Sequence, residues 1–194
     1  MAIDYFTKWV EVEVISPITE RKTTDFVWKN IICRYEILYA IITDNKRQFD
    51  NRNFREFCQN LGVDLKFCTP AHPQANRQVE AANKVIKKLL KTRLGEKKGA
   101  WVDELPGVLW AYQTTEKTAT GETPFDLAFG HEAVIPAEIG VTTHRTEYFN
   151  EEQNDEQICM NLDLLEEKME GASQRVAKCQ QRIMHYYNNN VRMR

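Results

Sequence analysis

YAIITDNKRQFDNRNFREFCQNLGVDLKF, from Tyr39 to Phe67, is the stretch on which the fold turns. Tyr39 to Thr43 reads as a short buried strand that ends on Asp44. Phe54, Phe57, Cys58 and Leu61 then recur at helical spacing, and Gly62 stands where a helix closes on a left-handed residue. Asp64 to Phe67 returns as a strand. Strand, helix and strand in such short order call for an α/β arrangement, because each element has one apolar face to bury against its neighbour.

Upstream, Trp9 to Ile15 alternates, with Trp9, Glu11 and Glu13 set against Val10, Val12 and Val14, which is the period of a half-buried strand. Ala2 to Phe6 reads as its hairpin partner. Because that partner begins at the first residue, the chain is expected to start inside its domain. After Ser16-Pro17, the four-residue steps Thr23, Val27, Ile31 and Tyr35 predict an amphipathic helix over Thr19–Tyr35. The whole pattern predicts a mixed α/β sheet flanked by helices.

Downstream, TPAHPQAN (Thr69–Asn76) is a proline-punctuated loop, and Asn76 can cap a helix running to about Leu94. A further helix is expected over Trp101–Thr115, kinked or broken at Pro106. Thr123-Pro124-Phe125-Asp126 is a capping box with proline at the first helical position, and Gly130 is placed to end that helix. His131 to Arg145 reads as extended and irregular. From about Asn150 the composition turns to Glu, Gln and Asn. There Ile158, Leu162, Leu165, Met169, Ala172, Val176, Cys179, Ile183 and Tyr186 follow steps of four and three, a heptad seam for the chain's own core or for a second chain. Two regions are therefore expected, a core over 1–146 and a helical extension over 147–194.

The 194 residues carry 26 basic and 28 acidic side chains, a net charge of −2, so bulk charge does not announce a nucleic-acid partner. Five cysteines without a CxxC pair fit a reducing compartment better than a disulfide framework. No apolar run approaches membrane-spanning length, and the four histidines form no zinc spacing with the cysteines. A soluble protein of the nucleus or cytoplasm is expected, with no membrane and no small-molecule substrate.

Two acids stand out for chemistry. Asp44 closes a strand, where side chains project into a crevice, although beside Asn45 it reads, on this feature alone, more readily as a turn former. Glu80 lies on the helix after Asn76. At about 100° per residue, Glu80, Lys84, Lys87 and Lys91 fall within roughly 60° of one another, with Val79, Ala82, Ile86, Leu89 and Arg93 opposite. That face is either a solvated surface with Glu-to-Lys pairs or a phosphate-binding strip headed by a carboxylate. A carboxylate there is reasonable if it holds Mg²⁺ or Mn²⁺, since such ions take carboxylate oxygens and leave positions open for phosphate and water.

The stretches AIDYFTKWVEVE, FVWKNIICRY, IITDNKRQFDN, TPAHPQANRQVEAANKVIKKLLK, WVDELPGVLWAYQTT, TATGETPFDLAFG and HEAVIPAEI together resemble the catalytic core of retroviral and retrotransposon integrases, the gypsy-type elements above all. Thirty-five residues lie between Asp44 and Glu80, the spacing of that family's acid motif. The resemblance implies a ribonuclease-H-like fold and two metal ions. It implies metal-dependent DNA end processing and strand transfer, with Asp44 and Glu80 as catalytic ligands. Lys84, Lys87 and Lys91 would contact DNA, with His72, Gln74, Asn76 and Arg77 in or beside the adjoining loop. The family's first metal-binding Asp belongs to a strand preceding the one that reads AIDYFTKW, so Asp4 is not expected to replace it. DNA and further copies of the chain are the implied partners. A non-catalytic DNA-binding or oligomerising remnant is the alternative. Lys46 and Arg77 stand where the family pattern has glycine, and a positive φ at either would cost about 1 kcal/mol.

Overall fold

The computed structural model describes residues 1–68, 77–95, 100–134 and 147–190. The chain forms two compact units, one comprising Met1–Ile3 and Val10–Val108, the other Asp4–Trp9 and Leu109–Arg194.

In the first unit, β1 (Ala2–Ile3) pairs antiparallel with β2 (Val10–Glu11), in the register Ala2 to Glu11 and Ile3 to Val10. The strand predicted over Trp9–Ile15 is thus shorter than its alternation suggested, and both of its residues are buried. Glu11 is inside because it has partners. Arg34 Nη1 donates to its Oε2 at 2.9 Å and the Tyr35 hydroxyl to its Oε1 at 2.5 Å, so a buried carboxylate is compensated.

Thr19 caps α1 (Glu20–Val27) through its hydroxyl, which accepts from the Lys22 amide. The helix then widens into a π-turn over Trp28–Ile32 before ending as the short α2 (Cys33–Tyr35). That wider turn advances the apolar stripe by one residue. Thr23 and Val27 are buried as the four-residue steps predict, but Ile32 rather than Ile31 is the next fully buried position.

Strand β3 (Ala40–Thr43) pairs parallel with β4 (Asp64–Phe67). Between them runs α3 (Arg52–Asn60), capped at its start by Asn51, whose Oδ1 accepts from the Phe54 amide at 2.8 Å. At its end Gly62 adopts φ +71°, as the sequence requires of a residue that turns the chain from helix into strand. The core gathers Phe26, Val27, Ile32, Phe54, Cys58 and Val63, with Ile41 and Leu65 of the parallel pair packed against it. Phe54 is completely buried, so its truncation is expected to cost about 3–5 kcal/mol. Helix α4 (Arg77–Leu94) contacts β1 and buries Ala82 and Ile86.

Helix α5 (Trp101–Gln113) continues through Pro106, so of the kink or break expected there the break does not occur. Proline removes one backbone donor, and the rest of the ladder carries the helix on.

In the second unit, the Thr123 hydroxyl accepts from the Asp126 amide at 3.0 Å, Pro124 opens α6 (Pro124–Phe129), and Gly130 closes it at φ +79°. Trp9, Trp110, Phe125 and Phe129 form an aromatic cluster, with ring centroids 4.9–6.1 Å apart in the contacting pairs. The tail is one helix, α7 (Glu151–Asn190), of 40 residues, about 60 Å long at 1.5 Å per residue. Its seam is used unevenly. Ala172 is buried, Leu165, Val176 and Cys179 are half-buried, and Ile158, Leu162, Ile183 and Tyr186 are exposed. Lys168 to Asp126 and Arg175 to Glu122 tie the middle of the helix down.

Candidate functional site

Thr43 ends β3 with its carbonyl accepting from the Cys68 amide at 2.8 Å, which fixes the backbone from which Asp44 departs. The two carboxylate oxygens of Asp44 differ. Oδ2 lies 2.8 Å from Lys46 Nζ, whereas Oδ1 is buried and has no hydrogen-bond partner among the described residues. Thr43 Oγ1 is in the same condition. Leaving one such group buried and unpaired costs about 1–3 kcal/mol, so this corner of the fold holds oxygens in want of a donor or a cation.

Lys46 was read from sequence only as a replaced glycine. Lys46 does not have positive φ: among the described residues, Lys8 and Glu36 are the non-glycine positions for which one is seen. The backbone strain that a positive φ would bring at Lys46 is therefore absent. The opposite charges of Asp44 and Lys46, two residues apart across a turn, were the available signal for their pairing.

Glu80 sits in the first turn of α4, where the helix N-terminus favours negative charge. It is exposed, as are Arg77, Lys84, Lys87 and Lys91, while Val79 and Leu89 are half-buried and Ala82 and Ile86 fully so. The division of the helix into an apolar and a charged face thus follows the 3.6-residue period. Arg93 departs from it. Its guanidinium is half exposed, lies 3.6 Å from Glu104, and passes close to Gly107, where a Cβ would sit 2.4 Å from Nη1. His72, Gln74 and Asn76 lie outside the described residues.

Asp4 is engaged otherwise. Its Oδ2 accepts from the Thr7 amide and the Thr7 hydroxyl, each at 2.7 Å, and from the Phe6 amide at 3.2 Å, which makes it a turn-forming side chain.

Among the described residues no three His, Cys, Asp or Glu side chains gather as a metal set. Asp44 nevertheless suits a hard divalent cation, because it offers a buried oxygen without a donor. The described helices include none long and apolar enough to cross a membrane.

Comparison with known proteins fits this geometry. Residues 1–73 match the family described as the integrase core domain. The Tf2-3 and Tf2-4 transposon polyproteins of Schizosaccharomyces pombe are each 26% identical over 154 residues, 78% of this chain. The match spans 12% of the length of those polyproteins. Among solved structures, the HTLV-2 integrase catalytic core domain in complex with magnesium, in its trimeric form, superposes with a TM-score of 0.54 at 22% identity. It covers 64% of this chain and 79% of that one. The simian T-cell lymphotropic virus intasome in complex with PP2A regulatory subunit B56 gamma gives 0.59 at 20% identity, over 69% of this chain and 48% of that one. These likenesses give the fold, that of integrase catalytic cores. Motifs, domain match and fold agree in likening the chain to the integrase cores of retroviruses and retrotransposons, and the gypsy-type resemblance is consistent with its Tf2 relatives.

Proposed function

We propose that the chain serves DNA integration, as part of a core that in complete form processes DNA ends and transfers strands. The observation that carries this reading is α4, which buries Ala82 and Ile86 and turns Glu80, Lys84, Lys87 and Lys91 outward. In this reading Lys84, Lys87, Lys91 and Arg77 neutralise backbone phosphates, and His72, Gln74 and Asn76 belong to the loop beside them. Asp44 and Glu80 hold Mg²⁺ or Mn²⁺, two ions in the complete family site. When bound, such ions activate the attacking oxygen and stabilise the leaving oxygen of an in-line phosphoryl transfer. The chain's own contribution is to place a carboxylate at a strand end and another at a helix start, with the lysine strip holding the phosphodiester. The magnesium in the HTLV-2 core supports the metal, and the dimeric and trimeric forms of that core support a homo-oligomer. Residues 1–146 would make up the catalytic core and 147–194 the helical extension, working in the nucleus or cytoplasm.

A second reading, a non-catalytic DNA-binding or oligomerising remnant of a retrotransposon, is favoured by one observation: Lys46 already pairs with Asp44. Cutting and joining of a labelled short duplex in Mg²⁺ and in Mn²⁺, beside a Glu80→Gln control, separates the two. Activity lost in the control supports the enzyme. Inactivity with salt-sensitive DNA binding supports the remnant.

A further inference from the structure

The main chain of Lys46 is fixed while its side chain is largely exposed. Its carbonyl accepts from the amides of Phe49 and Asp50, at 2.9 Å each, which fixes its main chain in a turn two residues beyond Asp44. From there its ammonium, on a side chain 68% exposed, reaches Asp44 Oδ2 on a side chain 29% exposed. The remaining oxygen, Oδ1, is buried and has no hydrogen-bond partner among the described residues. The carboxylate is thus half satisfied, by a charge that is itself free to leave for water.

We propose that Lys46 is a tethered counter-ion that competes with a divalent cation for Asp44, so that cation loading and release of Lys46 are a single exchange. The inference rests on the reading of Asp44 as a cation ligand. Two effects set its direction. An ammonium in contact with Asp44 cancels much of the field that would draw a cation, and a bound cation repels that ammonium from a few ångströms away. With solvent screening at this partly exposed position, the two together are expected to lower cation affinity about tenfold. A cation also satisfies what Lys46 leaves unmet, because hard divalent ions take carboxylate oxygens directly.

The test is a titration of the full chain with Mn²⁺ at low ionic strength, following free Mn²⁺ by electron paramagnetic resonance, for the natural sequence, Lys46→Gln and Asp44→Asn. Lys46→Gln keeps most of the aliphatic stem and removes the charge. It is expected to bind Mn²⁺ about tenfold more tightly, with the gap closing as potassium chloride is added, and Asp44→Asn is expected to abolish that binding. Equal affinity in the natural chain and Lys46→Gln, with loss in Asp44→Asn, overturns the competition and leaves Asp44 a ligand. Binding that ignores Asp44→Asn, or that is missing from all three proteins, overturns both.

Discussion

The Lys168 ammonium lies 3.0 and 3.2 Å from the two carboxylate oxygens of Asp126, forty-two residues earlier in the chain. Asp126 is the fourth residue of the capping box, where an acidic side chain often turns back to the cap. Here it reaches α7 instead. Its side chain is 11% exposed, so removing Lys168 leaves a nearly buried carboxylate without its cation. Lys168→Met is expected to destabilise the second unit by about 1–3 kcal/mol in urea unfolding, and Asp126→Leu combined with Lys168→Met by less than Lys168→Met alone. A single substitution without effect would mean that this pair does not anchor the helix.

The π-turn makes a prediction that an unbroken α-helix would reverse. Ile32→Ala should cost about 2–4 kcal/mol, as for a buried aliphatic side chain, and Ile31→Ala no more than about half of that. Thermal unfolding of the two variants decides it, and a larger loss at Ile31 would restore the regular four-residue stripe.

Lys117 gives the stability a pH dependence. Its ammonium donates to the Tyr112 carbonyl at 2.7 Å and lies 3.7 Å from the centre of that ring, and burial lowers its pKa from 10.5 to about 8. Below about pH 8 the lysine is charged in both folded and unfolded chains, and burying the charge opposes folding. Between about 8 and 10.5 the unfolded chain binds more protons, so this residue's contribution makes stability rise with pH. The difference in stability between the natural chain and Lys117→Met should therefore move in favour of the natural chain across that window. A difference that stays constant with pH would show that Lys117 titrates normally.

Much of the fold was legible because its signals are local. Gly62, Gly130 and Thr123 act through their own backbone angles or through a hydrogen bond three residues away, and their places could be read directly. Burial of Glu11 was not legible, since Arg34 and Tyr35 come from more than twenty residues away. Neither was the shift from Ile31 to Ile32, because nothing in the sequence marks a π-turn. At the site, the place of Asp44 at the end of β3 and of Glu80 on the outward face of α4 followed from periodicity. The contact between Lys46 and Asp44 depends on side-chain torsions that periodicity does not address.

DNA binding tests the central claim most directly. Fluorescence anisotropy of a labelled duplex, measured across a salt series for the natural chain and for Lys84→Ala/Lys87→Ala, reports how many phosphates the outward face of α4 neutralises. The account predicts binding that weakens steeply with salt, and a log–log slope shallower by about 2 in the double variant. No binding by the natural chain, or an identical slope in both proteins, would contradict it.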